Sequence, residues 1–185
     1  MISSSRIKQI LPLSILIGLF MFSCHLPRKD NIKIIVQEWQ GKEILIPSEI
    51  EYKTLGRSTA NSALWNSTYK ILTYIDSIGC SSCQLGLSEW KALIDSCNLQ
   101  KLDVSFLFIV HSSDFSHFDR EVRLYQFDYP IIYDYQNQFH KLNRFPSVPF
   151  RTFLLDKDNK VQLIGSPINN PNIWDLYKKV IAQSQ

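Results

Sequence analysis

From residue 69 onward the apolar positions switch repeatedly between two spacings. Tyr69-Lys70-Ile71-Leu72-Thr73-Tyr74-Ile75 is rich in β-branched and aromatic residues and reads as a buried strand. Leu85, Leu87, Trp90, Leu93 and Ile94 then fall mostly at helical spacing. The run Leu102 to Val110 is almost continuously apolar, the pattern of a strand covered on both faces. A polar loop is expected over 112–116, a helix over 118–126, a short strand over 130–134 and a short helix through Phe139 and Leu142. Thr152 to Asp156 and Lys160 to Gly165, joined by Lys157-Asp158-Asn159, read as an antiparallel hairpin. An amphipathic helix from Pro171 to Ile181 closes the chain. The order βαβαβ(α) followed by ββα predicts an α/β domain, a central mixed β-sheet with helices on both faces.

Ahead of residue 69 the pattern is weaker. Ile32-Lys33-Ile34-Ile35-Val36 fits either a strand or a helix, Glu43 to Ile46 a short strand after a glycine turn, and 48–68 an irregular polar excursion. Residues 1–23 have the layout of an export signal. Arg6 and Lys8 precede an apolar run from Ile10 to Phe22, shorter than the roughly 20 residues a membrane-spanning helix needs. Met21-Phe22-Ser23-Cys24 resembles a bacterial lipobox, which makes Cys24 the expected lipidation site and mature N-terminus. Ile2 rules out an N-myristoyl signal, which needs glycine there. The expected organisation is a lipoprotein-type signal peptide over 1–23, a tether over 24–31 and one domain over 32–185.

Composition agrees with a single domain: 185 residues, 45% hydrophobic and 12% aromatic. Arg6 and Lys8 are the only charges in 1–23, so removing that segment takes the formal net charge from +3 to +1. No basic block remains, which argues against a nucleic acid partner.

The chemistry lies in the cysteines. Cys80-Ser81-Ser82-Cys83 is a C-x-x-C pair placed where the first strand gives way to a helix, with Asp76-Ser77-Ile78-Gly79 expected as the intervening loop. The thiolate is the nucleophile in disulfide exchange, and the positive end of a helix lowers a cysteine's pKa. A second thiol one turn away can resolve the mixed disulfide that the first one makes. Cys97 lies about 20 Å along the helix from Cys83, too far for a disulfide, and is expected to be a small buried hydrophobe.

Together these features resemble the thioredoxin-like superfamily, and most closely its membrane-tethered thiol–disulfide oxidoreductases of the TlpA/ResA type. The resemblance covers residues 32–183. It rests on the strand-then-helix around Cys80 and Cys83, on Val148-Pro149 before Thr152-Phe153-Leu154-Leu155-Asp156, and on the hairpin that follows. It implies a thioredoxin-like fold and no cofactor. It implies Cys80 as the attacking and Cys83 as the resolving thiol. A cis-proline, here Pro149, would face them together with Val148 and Gly79 and offer backbone to the substrate chain. Protein disulfides or dithiols of the cell envelope are the implied partners, and the lipid anchor would hold the protein to a membrane, facing the periplasm or the exterior.

The chain departs from that pattern at four places. Phe153 follows Pro149 by four residues where the family has three, which a one-residue insertion or the use of Pro146 would explain. Gly79 stands where many relatives carry tryptophan, and Tyr74 where they bury an acid six positions before the first cysteine. Asp76 is a candidate proton-transfer residue, or a loop or helix-start residue. Ser81-Ser82 matches neither dipeptide of known redox poise.

Rival readings need other residues. A non-enzymatic lipoprotein on the same fold could bind a partner, or a metal such as copper, with His111, His117 or His140 joining the cysteines. The histidines are scattered, so no metal ligands are assigned. Peroxidase chemistry would want a threonine before the cysteine, where Ser77 and Gly79 stand.

Overall fold

The computed structural model describes residues 28–77, 86–146 and 150–182. The chain divides into two units after Ile34. Helix α1 (Arg28–Trp39) crosses that division; it begins inside the stretch expected as a tether and resolves the ambiguous run 32–36 as helix. All later elements belong to the larger unit, Ile35–Gln185.

Two short strands, β1 (Glu51–Thr54) and β2 (Arg57–Thr59), and a single 3-10 turn (Ser62–Asn66) occupy the stretch read as irregular. The hairpin turns at Leu55 and Gly56, both at positive φ (51° and 76°), with Thr54 paired to Arg57. Two such residues make the type I′ turn that suits the twist of paired strands. Leucine is an unusual occupant of its first position. Its side chain packs against the core, which offsets the backbone cost.

The expected alternation follows: β3 (Tyr69–Ser77), α2 (Leu87–Leu99), β4 (Val104–Ser112), α3 (Phe115–Leu124), β5 (Ile131–Tyr133), α4 (Gln138–Asn143), β6 (Thr152–Leu155), β7 (Val161–Ile164) and α5 (Pro171–Ala182). Helix α3 starts three residues before its predicted start at 118, after Asp114, whose carboxylate accepts the His117 amide. The seven strands form one sheet in the order β2-β1-β5-β4-β3-β6-β7. Strands β3, β4 and β5 run parallel; β6 returns antiparallel along β3, and β1 along β5. The sheet is mixed, as predicted.

Strand parity sorts the core into two layers. Ile71, Ile75, Phe106, Phe108, Val110, Ile131 and Leu154 meet α2, α3 and α5 through Trp90, Ile94, Phe118, Val122 and Tyr177. Leu72, Tyr74, Leu107, Ile109, Ile132, Phe153 and Leu155 face the other way, toward Trp39, Ile44, Phe139 and Phe145. Cys97 is buried at 1% exposure in the first layer, the small hydrophobe its sequence context predicts.

The segment expected as a strand over 43–46 makes only the bridge Glu43↔Lys160. Just before it, Gly41 N donates to Val161 O at 2.7 Å and Val161 N to Lys42 O at 2.9 Å, lining the edge of β7. Beyond it the Asn143 side chain substitutes for a neighbouring strand: Leu45 N donates to Asn143 Oδ1 at 2.7 Å, and Asn143 Nδ2 to Leu45 O at 2.9 Å.

Candidate functional site

β3 is the central strand of the site, held by β4 on one side and β6 on the other. Its pairing with β4 runs unbroken from Tyr69↔Val104 to Ser77↔Ser112, so Asp76 and Ser77 are strand and not loop. Ser77 is the last described residue of β3, and the next described element is α2, capped by Gly86 in the left-handed region at φ 61°. Cys80, Cys83 and Gly79 lie in that interval, outside the described residues, as do Val148, Pro149 and Cys24.

The described ends of those segments converge. Thr73 and Thr152 are register partners, and their buried hydroxyls are hydrogen-bonded at 3.2 Å. Tyr74 N donates to Arg151 O at 2.9 Å, carrying the pairing one residue further. The strand that leads toward Cys80 and the strand that follows Pro149 are therefore adjacent, about 4.8 Å apart, and open at the same end of the sheet.

Beneath that end lies an aromatic cluster on the α4 side. Tyr74, 1% exposed, stacks on Phe145 (4.5 Å between centroids) and on His140 (5.9 Å), while the Arg151 guanidinium lies 5.5 Å from its ring centre. Its hydroxyl donates to Asn137 Oδ1 at 2.5 Å. Burial, and then the Asp76 charge, push the phenol well above its ordinary 10.0, so it stays protonated at neutral pH. At the position where the resemblance expects a buried acid there is thus a neutral donor.

Two titratable groups share Tyr74's face. Asp76 and His111 are partners in the parallel pairing of β3 and β4. His111 Nδ1 sits 2.7 Å from the backbone oxygen of Asp134. A carbonyl only accepts, so Nδ1 carries the proton and Nε2 is left with the lone pair in the neutral ring. Asp134 is committed to α4, its carboxylate accepting from Gln138 N at 2.7 Å and Phe139 N at 2.9 Å. Of the other histidines, His140 packs on Tyr74, whereas His117 lies on α3, on the other side of the sheet. Among the described residues no three His, Cys, Asp or Glu side chains cluster to hold a metal ion. No described helix is long and apolar enough to cross a membrane.

Arg151, whose guanidinium lies over the Tyr74 ring and whose Nε donates to Pro146 O at 2.8 Å, is a side chain of this end that residue-type reasoning passed over. Its one signal in the sequence is the extra residue between Pro149 and Phe153.

No family model matches the chain, and no curated protein sequence does. Solved structures do match. The thioredoxin domain of a thiol-disulfide oxidoreductase from Bacteroides vulgatus is 13% identical, with a TM-score of 0.53 over 77% of this chain and 97% of that one. A protein described as a thiol:disulfide interchange protein DsbE, from Chlorobium tepidum, is 14% identical, with a TM-score of 0.57 over 77% and 96%. A secreted disulfide oxidoreductase from Mycobacterium tuberculosis is 16% identical, with a TM-score of 0.50 over 72% and 95%. The fold is thioredoxin-like.

Proposed function

We propose that the chain is a thiol–disulfide oxidoreductase of the cell envelope, acting on protein partners through Cys80 and Cys83 and tethered through lipid on Cys24. The Cys80 thiolate attacks one sulfur of a partner disulfide, a mixed disulfide forms, and the other partner sulfur leaves as thiolate. The Cys83 thiolate then attacks Cys80 Sγ, closing the Cys80–Cys83 disulfide and releasing the partner as a dithiol. Two electrons and two protons pass from the pair to the partner; run backwards, the same steps oxidise a partner.

The observation that carries this reading is the join of sequence and sheet. The interval between Ser77, where β3 ends, and Gly86, which caps α2, contains both cysteines of the C-x-x-C. The fold is one shared with solved proteins named as thiol–disulfide oxidoreductases. The adjacent strand follows Val148-Pro149, where the resemblance expects substrate backbone to dock. Envelope placement is supported by the export-type start of the sequence and by the secreted neighbour.

The test is disulfide reduction by the wild type, Cys80→Ser and Cys83→Ser. Cys80→Ser is expected to abolish turnover, and Cys83→Ser to accumulate a mixed disulfide visible on a non-reducing gel. Equal and undiminished behaviour of both variants, or a pair occupied by stoichiometric metal, would move the protein to the non-enzymatic binding class.

A further inference from the structure

Away from the end at which β3 reaches Ser77, basic side chains from three elements line one open groove of about 660 Å³: Arg57 of β2, Lys91 of α2 and Arg123 in the last turn of α3. The topology gathers them. Strands β3, β4 and β5 are parallel, so α3 delivers the chain to the start of β5, at the opposite end of the sheet from Ser77. Lys53 pairs with Ile131, the first residue of β5, so the β1–β2 turn lies beyond that same end.

The charges in the groove are unequally matched. Lys91 is paired with Asp128, the acid among the lining residues, at 2.7 Å. Asp119, one turn before Arg123 on α3, accepts the Tyr133 hydroxyl at 2.6 Å. Among the described residues neither Arg57 nor Arg123 forms an ion pair. The Arg123 guanidinium is set against the hairpin turn: a Cβ added at Gly56 would lie 2.8 Å from its Nη1 and 3.3 Å from Asp119 Cγ. Gly56, at φ 76°, therefore both makes the turn and leaves the guanidinium room. Leu55 and Thr59 line the groove beside the arginines, so the cations stand in a wall that is in part apolar.

We propose that this groove binds a small organic anion, a carboxylate or phosphate group on an apolar body, with Arg57 and Arg123 taking the charged group and Leu55 meeting the body. A guanidinium presents a planar fork of donors that matches the oxygens of such a group. An apolar wall carrying a few charged donors, at this volume, is how small-molecule sites are commonly built. The inference stands apart from the proposed function, and its test needs no turnover.

Hydrogen exchange of the full chain is followed while 1-naphthalenesulfonate is added, with 1-naphthalenemethanol as a neutral probe of the same ring system. The sulfonate is expected to slow the amides of 54–59 and 123–128 several-fold, with a saturable dependence on concentration, whereas the alcohol leaves them unchanged. All three residues of β2 are exposed, so Arg57→Gln removes a charge without touching the core. It is expected to raise the half-saturating concentration about tenfold, the loss of one charge-assisted bond, while exchange in β3 and β4 stays as in the wild type. Combining it with Arg123→Gln is expected to abolish the slowing. Equal slowing by the alcohol would overturn the proposal, as would an Arg57→Gln variant that saturates at the wild-type concentration. Slowing that never saturates, or that falls only on other parts of the chain, would overturn it too.

Discussion

Cys97 offers a prediction whose size follows from its surroundings. The thiol is 1% exposed, in the layer formed by Trp90, Ile94 and Phe106, and burial pushes its pKa from 9.0 up to about 11. A raised folded-state pKa means that the fold favours the neutral thiol. The associated stability is complete below pH 9 and is lost as pH climbs through 11. At 1.36 kcal/mol per pKa unit the full effect is about 2.7 kcal/mol, of which roughly 2 kcal/mol is gone by pH 11. Cys97→Ala removes the titrating group and leaves a small void, costing about 1 kcal/mol independently of pH.

The two stability curves should therefore cross. Urea unfolding at pH 8 is expected to put the wild type about 1 kcal/mol ahead of Cys97→Ala, and at pH 11 about 1 kcal/mol behind. Tyr74, Tyr133 and Tyr177 also have raised pKa values and also weaken the fold in alkali, but they are common to both proteins and cancel in the difference. Curves that stay parallel from pH 8 to pH 11 would refute the argument, because they would mean that the Cys97 thiolate is tolerated in place. The same burial makes Cys97 inert to thiol reagents at neutral pH.

Two further outcomes are expected. Lys70 is fully buried on β3, its ammonium donating to the carbonyls of Trp65 (3.2 Å), Ser67 (3.3 Å) and Lys157 (3.1 Å), so Lys70→Met should lower the unfolding free energy by about 2–3 kcal/mol in urea. Burial pulls its pKa below 10.5, so the wild type alone should regain part of its stability as pH rises through the folded value toward 10.5; a Met variant as stable as the wild type at pH 7 would contradict this account. Cys24→Ala should move the protein from the membrane fraction to the soluble fraction, and unchanged sedimentation with membranes would remove the lipid anchor from the proposal.

Much of the fold is legible from residue pattern because the central strands are uniform. Phe106 to Val110 is apolar at every position because both faces of the strand are covered. What escapes the pattern is where polar groups or single side chains do the structural job. The β1–β2 hairpin is exposed along β2 and turns through Leu55-Gly56 in place of an Asn-Gly pair, so neither alternation nor turn chemistry announces it. Asn143 supplies the partners that a strand beside Leu45 would have supplied. Asp76 looks like a loop residue until β4 extends alongside it to Ser112. Arg151 is visible only as a spacing anomaly, since its bond to Pro146 links backbone to side chain and leaves no trace in hydrophobic periodicity.

The surroundings of the proposed redox pair carry an argument that the fold does not. A thioredoxin-like sheet at 13–16% identity fixes where an inter-element segment emerges, and says nothing of how protons reach it. That depends on which residues share the face of β3 that leads out toward Cys80. Here Tyr74 donates its proton to Asn137 and cannot act as a base at neutral pH, because desolvation raises its pKa. The other acid–base side chains among the described residues on that face are Asp76, His111 and His140. His111 is already oriented, its Nδ1 proton donated to the Asp134 carbonyl. On the described part of that face the position of the expected acid therefore holds a neutral phenol, with Asp76 and His111 paired beyond it toward the rim of the sheet and His140 stacked on the Tyr74 ring.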